Sequence, residues 1–294
     1  MNRGKETLAG YLFLLPGLAG FFVFLLFPIG FSLFLAFCEW DLVSGFGNIK
    51  FVGLKNFLDL PQDKTFLASL KNNFVYTALT VPITMGIALF LAILLNGKVY
   101  GARTLRLVYF MPYITTIVAV SVVWLQLFHP SQGPINQFLM SLGIENPPGW
   151  LSSPRWALIS LVIMMVWSGL GFDLIIYLAG LQGIPKALYE AAEVDGAGAW
   201  RKFFHITLPM LSPTTFFLFV TRIIHSFEVF APVNIMTQGG PGDSTSVLVY
   251  HMYIQAFNLY KFGYGSAIAW VLFLIIFAVT LIQWKWQNRW VTYS

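Results

Sequence analysis

The feature that most constrains this chain is a set of long apolar segments. The first, Leu8–Cys38, contains no charged residue at all. A membrane-spanning helix needs about 20 mostly apolar residues, and this segment greatly exceeds the roughly 7–15 residues of a signal-peptide core. We therefore expect a retained, tilted span that bends near Pro28.

The composition extends this expectation to the whole chain. Charged residues make up 10% of the 294 residues and hydrophobic residues 57%, whereas soluble domains carry about 25% charged residues. These values exclude a disordered chain, a nucleic-acid-binding domain and most cytosolic enzymes. The single cysteine, Cys38, excludes an internal disulfide and a cysteine-based metal site.

The apolar segments predict an all-α membrane protein with six transmembrane helices and both termini on one side. The predicted spans are Leu8–Cys38, Leu70–Leu95, Leu107–Phe128, Arg155–Leu181, Leu208–Phe230 and Gly265–Trp286. We predict a single transmembrane domain, 1–294, in which residues 1–69 form the first helix and an outer loop. Residues 70–294 then form the core bundle.

Lysine and arginine residues predict the orientation of these spans. Ten lie on the side of the termini: Arg3, Lys5, Lys98, Arg103, Arg106, Lys186, Arg201, Lys202, Lys285 and Arg289. Six lie on the other side: Lys50, Lys55, Lys64, Lys71, Arg155 and Lys261. Because basic residues are enriched in cytoplasmic loops, we expect both termini to be cytoplasmic.

The most informative cytoplasmic segment is the loop 181–209. Pro185 suits the first turn of a helix, which we expect over Lys186–Asp195, and Gly196 is suited to end it. A second short helix is expected over Ala199–Thr207. The many alanines and glycines of this loop would let a helix enter a groove of another protein. They would equally let the loop pack against its own bundle.

Two motifs give the chain a resemblance to a known family. The run Glu190-Ala191-Ala192-Glu193-Val194-Asp195-Gly196-Ala197, followed by Phe203, Ile206, Leu208 and Pro209, closely resembles the EAA loop of binding-protein-dependent ABC importer permeases. The run Thr237-Gln238-Gly239-Gly240-Pro241-Gly242 resembles the outer-loop signature of their carbohydrate-uptake branch. The chain is similar over nearly its whole length to the larger maltose permease subunit and to glycerol-phosphate permeases.

The resemblance implies a type I ABC importer permease fold in a prokaryotic cytoplasmic (inner) membrane. It implies a second homologous permease subunit, an extracellular solute-binding protein, and two cytoplasmic ATPase subunits that bind ATP and Mg. This chain itself would carry no cofactor, metal or catalytic residue. The residues implied in coupling to the ATPase are Glu190, Ala191, Ala192, Asp195, Gly196 and Ala197.

Polar residues within the spans are candidates for the solute pathway, because charges in a membrane are costly and usually functional. Asp173 lies in the fourth span, and Arg222, His225, Ser226 and Glu228 lie in the fifth. Helical spacing places Arg222, His225, Ser226 and Val229 on one face. Asp173 and Arg222 would alternatively form a structural ion pair, and His225 a local polar contact.

Comparison with the maltose subunit implies a similar set of solute contacts. Counting back from the two motifs leads to Ser168, Gly169 and Phe172, and to Arg222, His225, Ser226 and Val229. The maltose subunit has more amide side chains at these places, so maltose itself is not expected. An aromatic ring such as that of Phe172 would stack on a sugar or simply pack in the bundle.

The leading hypothesis is a transport subunit that forms half of the pathway for a di- or oligosaccharide. Arg222 keeps open a pathway for glycerol phosphate or another anionic solute. An ATP-independent channel or secondary transporter would require the EAA loop to be mere packing. An intramembrane enzyme that uses Asp173 and a histidine has no supporting motif, since the chain lacks a phosphate loop, a spaced metal-ligand set and a nucleophile elbow.

Overall fold

The computed structural model describes residues 3–41, 45–97 and 99–292, and 75% of the chain is helical. The chain divides into two compact units. The first unit comprises Met1–Asp63 and Met252–Val271, and the second comprises Lys64–His251 and Leu272–Ser294. Of the basic residues counted for the orientation, Lys98 lies outside the described residues.

The elements follow one another along the chain as helices joined by short turns. The α-helices are α1 (Arg3–Phe21), α2 (Phe27–Ala36), α3 (Lys55–Asp59), α4 (Lys64–Asn96), α5 (Ala102–Ile114), α6 (Ile117–Leu127), α7 (Pro134–Ser141), α8 (Ala157–Gln182), α9 (Lys186–Val194), α10 (Ala199–Lys202), α11 (Leu208–Met210), α12 (Ser212–Phe227), α13 (Leu248–Tyr253) and α14 (Phe262–Gln287). The short strands β1 (Cys38–Glu39) and β2 (Lys50–Phe51) pair antiparallel in the first unit. Within residues 3–41, 45–97 and 99–292 there are also two 3-10 turns (Phe46–Asn48, Leu60–Gln62) and four π-helical turns (Phe22–Leu26, Phe203–Thr207, Val233–Thr237, Ile254–Asn258).

In the part of the chain that the structure describes, four helical segments are long and apolar enough to cross a membrane: Tyr11–Ala36, Lys64–Asn96, Ala157–Gln182 and Phe262–Gln287. Two bent helix pairs raise the number to six if each pair is one span. The predicted second, fourth and sixth spans therefore correspond to α4, α8 and α14. In the most apolar 18-residue window of Tyr11–Ala36 no residue is buried within the chain, as expected of a helix in lipid, whereas Leu35 and Ala36 at its end are buried.

The third predicted span, Leu107–Phe128, is not one continuous helix. It consists of α5 and α6, which meet at an angle of 98°. Pro112 has no N–H to continue the helical ladder, and Thr115 and Thr116 adopt extended conformations. The Thr116 side chain then accepts a hydrogen bond from the Ala119 N–H and begins a new helix.

The fifth predicted span, Leu208–Phe230, is likewise bent. The pair Ala199–Met210 and Ser212–Phe227 turns by 61°. Pro213 cannot donate to the carbonyl of Pro209, four residues earlier, and the Ser212 hydroxyl donates to that carbonyl instead at 2.6 Å. The straight helix α12 therefore begins at Ser212, and Leu208–Met210 lies on the other side of the bend.

The first span departs from the expected bend near Pro28 in a similar way. The irregularity is the π-helical turn Phe22–Leu26, which precedes α2. Since Pro28 has no N–H for the Phe24 carbonyl, the chain widens its helix just before the proline. Pro28 itself lies in the first turn of α2, where a proline is tolerated.

Helix α4 contributes buried polar side chains to the second unit. Its Asn73 is completely buried. The Asn73 carbonyl oxygen accepts a hydrogen bond from the Leu248 N–H at 2.7 Å, and its amide donates to the Ser226 carbonyl at 3.5 Å. One amide therefore links α4 to the start of α13 and to the end of α12.

We predict that Asn73→Ala destabilises the protein by about 1–3 kcal/mol, because the Leu248 N–H would remain buried without a partner. Denaturant titration of the purified chain in mixed micelles measures this loss. Lys71→Ala, on the exposed side of the same helix, should stay within about 0.5 kcal/mol of the parent. Equal effects of the two substitutions would contradict the assigned role of Asn73.

Candidate functional site

A cavity of about 550 Å³ lies in the second unit, between the α5–α6 break, α8 and α12. It collects seven of the nine residues predicted for the solute pathway: Ser168, Gly169, Phe172, Arg222, His225, Glu228 and Val229. It is completed by residues that the sequence did not indicate: Tyr113, Thr115, Ile117, Met165, Thr221, Phe230, Ala231 and Pro232. The other two predicted residues, Asp173 and Ser226, are not part of the lining.

An ion pair joins the two principal walls of this cavity. Arg222 Nε on α12 donates a hydrogen bond to Oδ1 of Asp173 on α8 at 2.8 Å, and Nη2 lies 2.7 Å from the same oxygen. Asp173 is completely buried, while the Arg222 side chain is 14% exposed. Arg222 therefore lies at the cavity surface with Asp173 behind it, and the alternative of an interhelical ion pair describes their geometry.

Gly169 allows the guanidinium group of Arg222 to lie directly on α8. A Cβ atom at this position would lie 2.5 Å from Arg222 Nη1, so the guanidinium group would have to shift. The Gly169 carbonyl also accepts a hydrogen bond from Arg222 Nη2. Among the described residues, Nη1 makes no hydrogen bond.

Phe172 and Tyr113 form an aromatic wall beside this ion pair. Their ring centroids are 5.0 Å apart and their planes are inclined by 27°. The Arg222 guanidinium carbon lies 5.7 Å from the centroid of Phe172, within the range of a cation–π contact. Tyr113 lies in the last turn of α5, so its position depends on the break at Thr115. In the sequence, only Pro112 and the pair Thr115–Thr116 indicate this break.

His225 and Glu228 form a second polar contact, at the end of α12. His225 Nδ1 and a Glu228 carboxylate oxygen are 3.8 Å apart, and both side chains are mostly exposed. Val229 is buried in the wall. Ser226 faces α4 instead, where its hydroxyl lies 2.8 Å from that of Thr77, so its expected place on the cavity face is incorrect.

The EAA segment has the expected helix–turn–helix form. Helix α9 ends at Val194, and Gly196 follows in the left-handed conformation with φ +73°. The Ala197 N–H donates to the Ala192 carbonyl at 2.8 Å, which closes the helix end as in a Schellman-type turn. Glu190, Ala191, Asp195 and Gly196 are exposed, and Ala192 and Ala197 are half-buried.

Helix α9 is also fastened to the segment that leads into α12. The Glu193 carboxylate accepts a hydrogen bond from Lys202 Nζ at 2.7 Å, and this contact lowers the pKa of Glu193. The hydroxyls of Tyr189 and Thr207 are 2.9 Å apart. The EAA segment is thus held at one end by α8 and at the other by the helices before α12.

The outer-loop signature has a structural role in this unit. Thr245 Oγ1 donates to the Gly240 carbonyl at 2.7 Å, and the Asn72 amide on α4 donates to the carbonyls of Asp243 and Ser246 at 2.7 and 2.9 Å. Gly239, Gly240 and Pro241 are not among the cavity-lining residues. Within the part of the chain that the structure describes, no group of side chains is arranged to hold a metal ion.

We predict that breaking the Asp173–Arg222 pair from either side, with Asp173→Asn or Arg222→Gln, costs about 3–5 kcal/mol of stability, because one charge stays buried without a partner. The double variant should lose clearly less than the sum of the single variants. Glu228→Gln removes an exposed charge pair and should cost less than about 1 kcal/mol. Denaturant titration in mixed micelles measures all four, and strictly additive losses would contradict the coupling.

Comparison with known proteins places the chain in a family. The family model described as "Binding-protein-dependent transport system inner membrane component" matches residues 62–291. A "Probable ABC transporter permease protein YesP" of Bacillus subtilis (strain 168) is 40% identical, over 99% of this chain and 94% of its own length. A "sn-glycerol-3-phosphate transport system permease protein UgpA" of Yersinia enterocolitica is 34% identical, over 97% and 95%.

A solved structure is also similar over nearly the whole chain. It is described as a "bacterial alginate ABC transporter in complex with alginate pentasaccharide-bound periplasmic protein". One of its chains aligns with a TM-score of 0.83 at 25% identity, covering 97% of this chain and 96% of that one. The chain therefore belongs to the inner-membrane permease family of binding-protein-dependent ABC transporters.

Proposed function

We propose that this chain forms half of the translocation pathway of an ATP-driven importer for a neutral sugar, most simply a di- or oligosaccharide. An extracellular binding protein would deliver the sugar, a second permease subunit would complete the pathway, and separate ATPase subunits would hydrolyse ATP. Each bent helix pair would be one of six spans, with both termini in the cytoplasm. The cavity beside Arg222 is the observation that carries this proposal.

The lining of the cavity has the chemistry that suits a sugar. The Tyr113–Phe172 wall offers an aromatic surface for the C–H face of a sugar ring. Around it stand groups that exchange hydrogen bonds with hydroxyls, among them Ser168, Thr221 and His225. Small-ligand sites usually combine such apolar surface with a few placed polar groups.

The charge balance favours a neutral solute over an anionic one. Arg222 is the only basic residue of the lining that is always charged, and Asp173 neutralises it at 2.7 Å. His225 has a carboxylate partner in Glu228. An anionic solute would have to compete with these carboxylates. A relative that is 34% identical is named as a glycerol-phosphate permease, and the structural neighbour is described as an alginate transporter. These two proteins keep an anionic solute as the second candidate.

Coupling to the ATPase would act through the EAA segment, because its ends continue into both walls of the cavity. Helix α8 precedes α9 by a short turn, and the helices after Gly196 lead into α12. A displacement of α9 would therefore be transmitted to both walls of the cavity. The exposed Glu190 and the small Ala191 and Gly196 suit the groove of a partner protein.

We predict that Gly196→Val lowers sugar uptake by about tenfold or more while the chain still inserts normally, since a bulky group would obstruct a docked partner. A Cβ atom at Gly196 meets nothing within 4 Å in this chain. The strain of a side chain at φ +73° is about 1–2 kcal/mol, too little to unfold the protein. Uptake and membrane abundance are measured in the same cells.

Gly101→Val is the matched control for this substitution. Gly101 has φ +74° and also meets nothing within 4 Å, so it carries the same strain outside the EAA segment. It should transport at close to the parental rate. Similar losses in both variants would indicate that strain, rather than docking, explains the effect.

The proposal as a whole is tested by purifying the tagged chain from its native membrane and reconstituting what accompanies it in lipid. We predict that a second permease and an ATPase co-purify, and that a binding protein loaded with a neutral sugar stimulates ATP hydrolysis. Phe172→Ala should remove most of the sugar transport, whereas Phe217→Ala, at an exposed position on α12, should not.

Two results would overturn this proposal. A chain that purifies alone under gentle conditions, without ATPase, would point to a channel or secondary transporter. Stimulation by a binding protein loaded with a phosphorylated or carboxylated solute, but not with neutral sugars, would establish the anionic alternative.

A further inference from the structure

The first unit contains a larger cavity, of about 920 Å³, that shares no residue with the solute site. Its lining is densely polar. It contains the carboxylates of Glu39, Asp41, Asp59 and Asp63, the ammonium groups of Lys50, Lys55 and Lys261, and the side chains of Trp40, Asn48, Asn56, Gln62, Gln255, Leu259 and Tyr264. The described carboxylates do not converge into a metal-binding group.

This cavity lies where two apolar helices end. Strand β1 follows α2 directly, and Lys261 directly precedes α14. Asp41 and Lys261 form an isolated antiparallel backbone bridge. The buried Asn56 amide donates to the carbonyls of Ala36 and Cys38, both at 2.9 Å. If both apolar helices cross the hydrocarbon core, the cavity lies at the level of lipid headgroups.

The charges of the cavity are incompletely matched within the protein. Glu39 and Lys55 pair at 3.5 Å, and Asp63 accepts a hydrogen bond from the Tyr264 hydroxyl at 2.8 Å. Among the described residues, Lys50, Lys261 and Asp59 form no ion pair within 4 Å. The Gln255 side-chain oxygen is buried without a donor. The cavity thus offers two free ammonium groups and one free carboxylate.

An apolar rim accompanies these charges. Leu259 lines the cavity and is 51% exposed, and Leu33 and Phe34, in the last turn of α2, are 39% and 48% exposed. Such apolar surface beside a charged cavity suits an amphipathic ligand.

We propose that this cavity binds the headgroup of a zwitterionic phospholipid with a primary ammonium group, of the phosphatidylethanolamine type. Lys50 and Lys261 hold the phosphate, and the Asp59 carboxylate receives the ammonium. The acyl chains extend along the rim and the apolar helices. This inference does not depend on which solute the chain transports.

The test is native mass spectrometry of the purified full chain mixed with equal amounts of phosphatidylethanolamine and phosphatidylglycerol, which lacks the ammonium. We expect phosphatidylethanolamine to be retained preferentially. Asp59→Asn should lower this preference about fivefold, and Lys261→Gln should lower retention of both lipids by about the same factor, since each exposed charge contributes about 1 kcal/mol. Lys64→Gln and Glu145→Gln, at exposed sites outside the cavity, are the controls and should change neither.

Three results would overturn the inference. Equal retention of the two lipids by the parent chain would remove the ammonium site. Effects of Asp59→Asn and Lys261→Gln no larger than those of the controls would remove the cavity as the place of binding. Competition by water-soluble glycerophosphoethanolamine at concentrations equal to the lipid would show a headgroup site without a role for the apolar rim. Since these residues are exposed, folded variants are expected, and size-exclusion chromatography verifies them.

Discussion

The ion pair between Asp173 and Arg222 is the interaction on which the cavity between α8 and α12 depends. A carboxylate buried completely in a membrane helix is costly unless a cation reaches it. Gly169 leaves room for the guanidinium group to lie against α8 where it meets this carboxylate. The pair fixes which faces of α8 and α12 meet, and it thereby presents Phe172 and His225 to a common space. Replacing the pair by apolar residues of similar size would keep the packing and lose this register.

The two walls of this cavity are connected through a single segment of the chain. The walls α8 and α12 are joined by the EAA segment, whose helix α9 touches the rest of the chain through few contacts, chiefly Glu193–Lys202 and Tyr189–Thr207. The bend before α12 is held by the Ser212 hydroxyl, which donates to the Pro209 carbonyl and accepts from the Thr292 N–H at 2.9 Å. A displacement of α9 would therefore be transmitted to α12 through the hydrogen-bonded bend at Ser212, because no flexible linker lies between them.

Features that depend on local sequence could be predicted, and features that depend on packing could not. The apolar length of α4, α8 and α14 and the turn at Gly196 follow from composition and backbone preference. The 98° break before α6 lies inside an apolar run, where only Pro112 and a capping Thr116 signal it. Helical spacing along α12 predicted that Ser226 lies on the cavity face. Its hydroxyl instead lies 2.8 Å from that of Thr77 on α4, a contact that the sequence of α12 alone does not indicate. Tyr113 could not be found at all without knowing that break.

The charge of the cavity, more than the fold around it, bears on which solute the proposed pathway would accept. Two of the three guanidinium nitrogens of Arg222 are engaged by Asp173 and the Gly169 carbonyl, and Nη1 makes no hydrogen bond among the described residues. A hydrogen-bond donor held beside its own counter-ion can orient a hydroxyl without attracting a net negative charge. A fold shared over nearly the whole chain with other permeases is compatible with different solutes, because a change at Asp173 alone would turn the same arginine into an anion site.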